Sequence, residues 1–192
     1  MIDDEAFFPK SNLSTYGYNI IPLGDISSVS DVENHDIVLC DLIGVGLHFD
    51  KKMQGASLIK EMKRIYPDKY VIAYTAAALS ASVAKQADTF ADKIIRKDTQ
   101  IDEWVDKLDG VLDLIQDPYF TWNRIRINLV SKGVETRELI VLEDAFVRSI
   151  LSGDKTFSAM DKASSNISLS DDVRAIINGL ISSAAISFIF QS

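Results

Sequence analysis

The first part of the chain alternates between short continuous apolar runs and apolar positions at helical spacing. Ile37-Val-Leu-Cys40 is a run of strand length, as expected for a strand buried on both faces. Tyr70-Val-Ile-Ala-Tyr74 is another, Ile94-Ile95 is a shorter one, and Tyr18-Asn-Ile-Ile21 reads as a further short strand. Between them, Pro9 to Tyr16 suits a helix closed by Gly17. Ala56 to Tyr66 carries Leu58, Ile59, Met62 and Ile65 at helical spacing up to the stop at Pro67. Val29 to Asn34 is at most a brief helix, and Leu79 to Ala87 a longer one. Ile101 to Ile115 sets Trp104, Val105, Leu108 and Leu112 on one face. Strands alternating with helices predict an α/β domain with a doubly wound parallel sheet.

Beyond Asp117-Pro118 the pattern turns helical: Trp122 to Val130, Glu135 to Leu151, Phe157 to Ala163 and Val173 to Phe190. The expected organisation is one domain over residues 1–116 and an all-helical region over residues 117–192. Glu138-Leu-Ile-Val-Leu-Glu-Asp144 also has the look of a strand ending in an acidic pair. Leu139, Leu142, Phe146 and Ile150 recur at helical spacing, which favours a helix. The run from Ala175 to Ser192 is uncharged and, at roughly 18 residues, sits at the lower limit for crossing a bilayer. Asn178, Ser182, Ser183 and Ser187 give it a polar stripe, so a helix packed in a bundle or dimer is expected rather than a membrane span.

Charge narrows the partners. The net charge is −8, and residues 1–116 hold 12 Lys+Arg against 19 Asp+Glu. Such a surface disfavours nucleic acid, whose phosphates need Lys and Arg. The tail's basic cluster, Arg124, Arg126, Lys132 and Arg137, reads as a solvated helix face. A single cysteine, Cys40, lies inside an apolar run, where a thiol behaves as a small hydrophobe. One cysteine forms no disulfide framework, and no secretory signal pattern opens the chain, so a reducing cytoplasm is expected. His35 and His48 are too isolated to form a metal or catalytic set.

Four polar anchors carry the candidate chemistry: Asp3-Asp4, Asp41, Thr75-Ala76 and Lys97. Three of them end a short apolar run, and the acidic pair would do so if a strand preceded it. In an open parallel sheet that edge is where ligands gather. Carboxylates, a hydroxyl and an ammonium converging there can hold a divalent metal and a phosphoryl group.

With these anchors, residues 3–116 resemble the receiver domain of two-component response regulators. Met1-Ile-Asp-Asp-Glu-Ala-Phe7 looks like the end of the first strand with its acidic pair. Asp36-Ile-Val-Leu-Cys-Asp41 looks like the third strand with its phosphoacceptor. Tyr66-Pro-Asp-Lys-Tyr-Val-Ile-Ala-Tyr-Thr-Ala76 is similar to the fourth strand with its switch hydroxyl. Ala91-Asp-Lys-Ile-Ile-Arg-Lys97 is similar to the fifth strand with its lysine. The resemblance implies that Asp41 takes a phosphoryl group from a histidine kinase or phosphotransfer protein. It implies Mg²⁺ held by Asp3, Asp4, Asp41 and the backbone carbonyl of Ile43, with Lys97 pairing with the phosphoryl group and Thr75 hydrogen-bonding it. It also implies a homodimer through the region near residues 79–115, with the helical region as output or dimerisation unit.

Three departures stand against the family pattern. Only Met1 and Ile2 precede the acidic pair, so the first strand is essentially missing; either the chain is cut short or another segment, such as Ile186-Ser-Phe-Ile-Phe190, fills the slot. The loop from Leu42 to Gly55 is longer than usual and lacks the family's proline. Ile94 stands where the family often places a rotating Tyr or Phe. These features keep open an alternative, a receiver-like adaptor that binds a partner without being phosphorylated. A transcription regulator would show DNA binding with a salt slope. A hydrolase of the same class would need a second general acid near Asp41, and none is evident.

Overall fold

The computed structural model describes residues 1–6 and 9–183. Three parallel strands, β1 (Ile37–Asp41), β2 (Tyr70–Thr75) and β3 (Lys93–Arg96), form one sheet in that order. β2 is buried along its whole length, as its unbroken apolar run requires of a strand flanked on both sides. The register sets Asp41 beside Tyr74 and Thr75 beside Arg96, so the strand ends bearing polar anchors fall together.

The acidic pair's strand is present as a stub. Ile2 bridges in parallel to Cys40: its amide donates to Leu39 O at 2.8 Å and its carbonyl accepts from Asp41 N at 2.9 Å. On the other side of Met1, its amino group donates to Ile21 O and its carbonyl accepts from Leu23 N, both at 2.8 Å. The expected strand Tyr18–Ile21 is not formed. Pairing is confined to Ile21–Leu23, while the Tyr18 hydroxyl is drawn to the Asp109 carboxylate and, at 3.4 Å, to Val105 O.

Helices α1 (Lys10–Thr15), α2 (Gly55–Ile65), α3 (Ser82–Phe90) and α4 (Ile101–Gln116) connect and cover these strands, with a 3₁₀ turn at Val29–Val32. α2 buries Leu58, Ile59 and Met62, the stripe read from its spacing. α3 starts later than its apolar pattern suggested. The alanine run before it offers no side-chain cap, and Ala81 is extended with ψ 149°.

The chain divides into two units, Met1–Ile65 with Lys69–Val111, and Tyr66–Asp68 with Leu112–Ser192. In the second, α5 (Pro118–Ser131), α6 (Thr136–Ser152), α7 (Ser158–Ser165) and α8 (Asp171–Ser182) follow one another. Asp117 caps α5 by accepting from Tyr119 N, with Pro118 in the first turn where its missing N–H costs nothing. α6 ends on Gly153, whose φ of 68° is left-handed and suits glycine. Glu138–Asp144 is thus helical. Trp122 stacks on Phe146 at 5.2 Å, Phe146 meets Phe157 at 5.5 Å, and Ile125, Leu129, Leu142, Met160, Ile177 and Leu180 complete the core.

The expected continuation of the last helix to Phe190, with the alternating run Ile186–Phe190, lies outside the described residues. Among the described residues no helix is long and apolar enough to cross a membrane.

Candidate functional site

The C-terminal edge of the sheet gathers four of the predicted residues. Asp41 ends β1 with little of its surface exposed (4%). Lys97 directly follows β3, and its amide donates to Thr75 O at 2.9 Å, which fixes where the side chain starts. From there Lys97 Nζ reaches Asp41 Oδ2 at 2.5 Å and Asp3 Oδ2 at 3.3 Å. Asp3 is carried into place by the bridge at Ile2, and its Oδ1 accepts from Glu5 N at 2.9 Å. The Asp4 carboxylate is exposed and lies over Gly44: a Cβ there would stand 2.3 Å from Asp4 Oδ1. One oxygen from each of Asp3, Asp4 and Asp41 falls within 4.8 Å of the others.

Thr75 and Ile43 enter differently. Thr75 is fully buried at the end of β2, where its Oγ1 accepts from Ala77 N at 3.0 Å and its O–H hydrogen is left to donate. Ile43 contributes its amide, 3.4 Å from Asp41 Oδ1, beside a shorter bond of 2.7 Å from Leu42 N. Both Asp41 oxygens therefore have partners.

Burial pushes the Asp41 carboxyl above the usual carboxylate range, with the Lys97 ion pair pulling the other way. Burial also draws Lys97 down, but the Asp41 and Asp3 carboxylates outweigh it and leave the ammonium raised. The pair is best described as a charged couple in a partly desolvated setting. Cys40 is buried, its thiol pushed up by burial, and its Sγ donates to Asp41 O at 3.2 Å, the behaviour of a structural thiol.

The long loop after Asp41 is held by its own polar groups and by Asp25. Gly44 N donates to Gln54 Oε1 at 2.9 Å, and Gly46 N to Asp25 Oδ1 at 2.8 Å. Asp50 Oδ1 accepts from Lys52 N and Met53 N, at 2.7 and 2.9 Å. Gly55 opens α2 so close to β1 that a Cβ would stand 2.0 Å from Asp41 O. These contacts give the loop a fixed course without the family's proline.

Tyr74 was not marked by the sequence pattern, where it reads as one more buried strand residue. Its hydroxyl donates to Asp3 Oδ2 at 2.7 Å, and Lys97 Nζ stands 5.2 Å from its ring centroid. Burial and the Asp3 carboxylate hold the phenol well above its ordinary value, so it remains a donor. The available signal was the second of two phenols in a run otherwise free of polar side chains, one residue before the edge. Ile94 pairs with Ala73 in the sheet and has no ring to rotate.

Three carboxylates at this spacing form an all-oxygen set, which suits a hard divalent cation better than a thiophilic one. Comparisons with protein-family models and with curated proteins give no match. Among solved structures the chain is similar to a response regulator protein from Burkholderia pseudomallei, described with a phosphorylated aspartic acid, a calcium ion and citrate. The two are 19% identical with a TM-score of 0.43, over 70% of this chain and 84% of that one.

Proposed function

We propose that the chain is a receiver-like signalling protein that accepts a phosphoryl group on Asp41. In this reading residues 1–116 form a doubly wound receiver domain and residues 117–192 an output or dimerisation region. The observation that carries it is the convergence of Asp3, Asp4 and Asp41 on one point, with Lys97 Nζ already against Asp41.

The donor would be a phosphohistidine of a histidine kinase or phosphotransfer protein. An Asp41 carboxylate oxygen forms the new P–O bond as the P–N bond breaks, and the departing imidazole nitrogen keeps the electron pair and takes a proton from water. Asp3, Asp4 and Asp41, with the Ile43 carbonyl, would hold Mg²⁺. When bound, that ion would offset the repulsion between the carboxylates and the incoming phosphoryl oxygens. Lys97 would transfer its contact from the carboxylate to a phosphoryl oxygen, keeping positive charge where negative charge accumulates. Thr75 would donate its O–H to another. None of these residues needs to exchange a proton with the phosphoryl group, so the chemistry is positioning and charge neutralisation.

The engagement of both Asp41 oxygens favours the second reading, an adaptor that is never phosphorylated. Intact mass after incubation with acetyl phosphate and Mg²⁺ separates the two. A phosphoryl adduct on the wild type and none on Asp41→Asn supports the phosphoacceptor. No adduct on either supports the adaptor.

A further inference from the structure

We infer that the outer face of α6 pairs antiparallel with the same face of a second copy of this chain. α6 buries Leu139, Leu142, Phe146 and Ser149 on one side. Its opposite side nevertheless exposes Ile140 (61%), Val141 (38%), Val147 (44%) and Leu151 (82%). A solvated face has no need of four large apolar side chains, and such patches mark interaction surfaces. Beside it, α5 exposes Tyr119, Ile127 and Val130. Trp122 stacks on Phe146, and Arg126 pairs with Glu143 at 3.7 Å, so α5 runs antiparallel alongside α6 and widens the same surface. Across residues 79–115, by contrast, the exposed large apolar side chains among the described residues are Leu79 and Leu114.

Charge selects the occupant. Asp144 and Arg148 sit between the apolar positions of the face and pair with each other along the helix. In an antiparallel pair centred between them, each Asp144 lies opposite Arg148 of the second copy. Leu151 then meets Ile140 and Val141 of that copy, and Val147 lies beside its own counterpart across the two-fold axis. Such a patch is self-complementary, as an isologous interface must be. A parallel pair would oppose Asp144 to Asp144 and Arg148 to Arg148, which electrostatic matching disfavours. This inference is independent of the phosphoryl chemistry at Asp41.

Sedimentation equilibrium of the full chain tests it. The expected result is a concentration-dependent dimer that Val147→Asp abolishes. Asp144→Arg and Arg148→Asp should each weaken the dimer roughly tenfold, because every substitution counts twice across a two-fold axis, and combining them should restore it. Val147→Cys should give a disulfide-linked dimer under mild oxidation. All these positions are exposed, so each variant should keep its helical circular dichroism. A chain that stays monomeric would assign the face to another segment or another protein and overturn the inference. A dimer indifferent to Val147→Asp, or one that the double swap fails to restore, would also overturn it.

Discussion

The Tyr74 hydroxyl donates to Asp3 Oδ2 at 2.7 Å while Lys97 Nζ lies 5.2 Å from the Tyr74 ring centroid, so one strand residue orients both an acid and the cation beside it. Groups that orient a metal ligand from behind commonly matter by about tenfold in affinity. Tyr74→Phe should therefore bind Mg²⁺ about tenfold more weakly with its secondary structure intact. Trp104 meets the Tyr74 ring edge-on at 6.3 Å, so tryptophan fluorescence should follow the titration. An unchanged affinity would mean that Glu5 N and Lys97 Nζ suffice to orient Asp3.

Lys97 neutralises two buried carboxylates. Lys97→Met leaves Asp3 and Asp41 facing each other without a cation, at a cost of about 1–3 kcal/mol. Added Mg²⁺ should raise Tm more in this variant than in the wild type, because binding then relieves a larger repulsion. The raised lysine fixes the pH window. Its contribution is full below the ordinary lysine value of 10.5 and is lost as pH rises through its higher folded-state value. The stability gap between wild type and variant should thus close in strong alkali. Chemical denaturation across pH measures it.

Gly44 and Gly55 should fail in different ways. At Gly44, with φ of 88°, an added Cβ meets the movable end of Asp4, so Gly44→Ala should displace one of the three clustered carboxylates proposed to hold Mg²⁺ and add backbone strain of about 1–3 kcal/mol. Gly133, with φ of 80° and nothing within 4 Å of an added Cβ, supplies the control: Gly133→Ala should show the strain without the loss of Mg²⁺ affinity. At Gly55 the obstacle is the Asp41 carbonyl itself, which cannot swing aside. Gly55→Ala should be the most destabilising of the three in urea unfolding.

Asp154 ties down the entry to α7. Its carboxylate accepts from Thr156 N and Oγ1 and from Ser158 N and Oγ, and the Thr156 and Ser158 hydroxyls hold its pKa down at about 2. A depressed carboxyl stabilises the fold above its ordinary value of 3.8, and that help fades as pH falls toward its folded-state value. Asp154→Asn should lower Tm at neutral pH. The difference from wild type should shrink as pH falls from about 4 toward about 2, to be read from paired thermal melts.

The sequence made β1, β2 and α2 legible because their apolar residues are continuous or regularly spaced over whole elements. Asp41 and Lys97 were legible for a related reason: each stands at the end of such a run, where the register must bring it to one edge. The stub at Met1–Ile2 was legible only through the family resemblance, and the pairing of Ile21–Leu23 was not, since two or three residues show no periodicity and their pairing depends on distant partners. Tyr18 looked like the start of a strand, but its hydroxyl is directed to Asp109 on α4. Tyr74 was hidden by its own burial, for a phenol in an apolar run looks like packing until its partner is located. Asp4 over Gly44 was hidden because the close approach is made by a loop of no regular pattern.

Pro22 lies between the two residues that pair with Met1, and this has a consequence for how the molecule behaves in a crowded solution. Ile21 O and Leu23 N point inward to Met1, so the groups of Pro22 face the other way, and proline has no N–H to offer there. An incoming extended chain would find a carbonyl with no neighbouring donor at that point. The opposite border of the sheet, β3, carries Lys93 and Arg96 at its two ends. Both margins thus resist recruiting a further strand from another molecule, the usual first step of edge-to-edge aggregation.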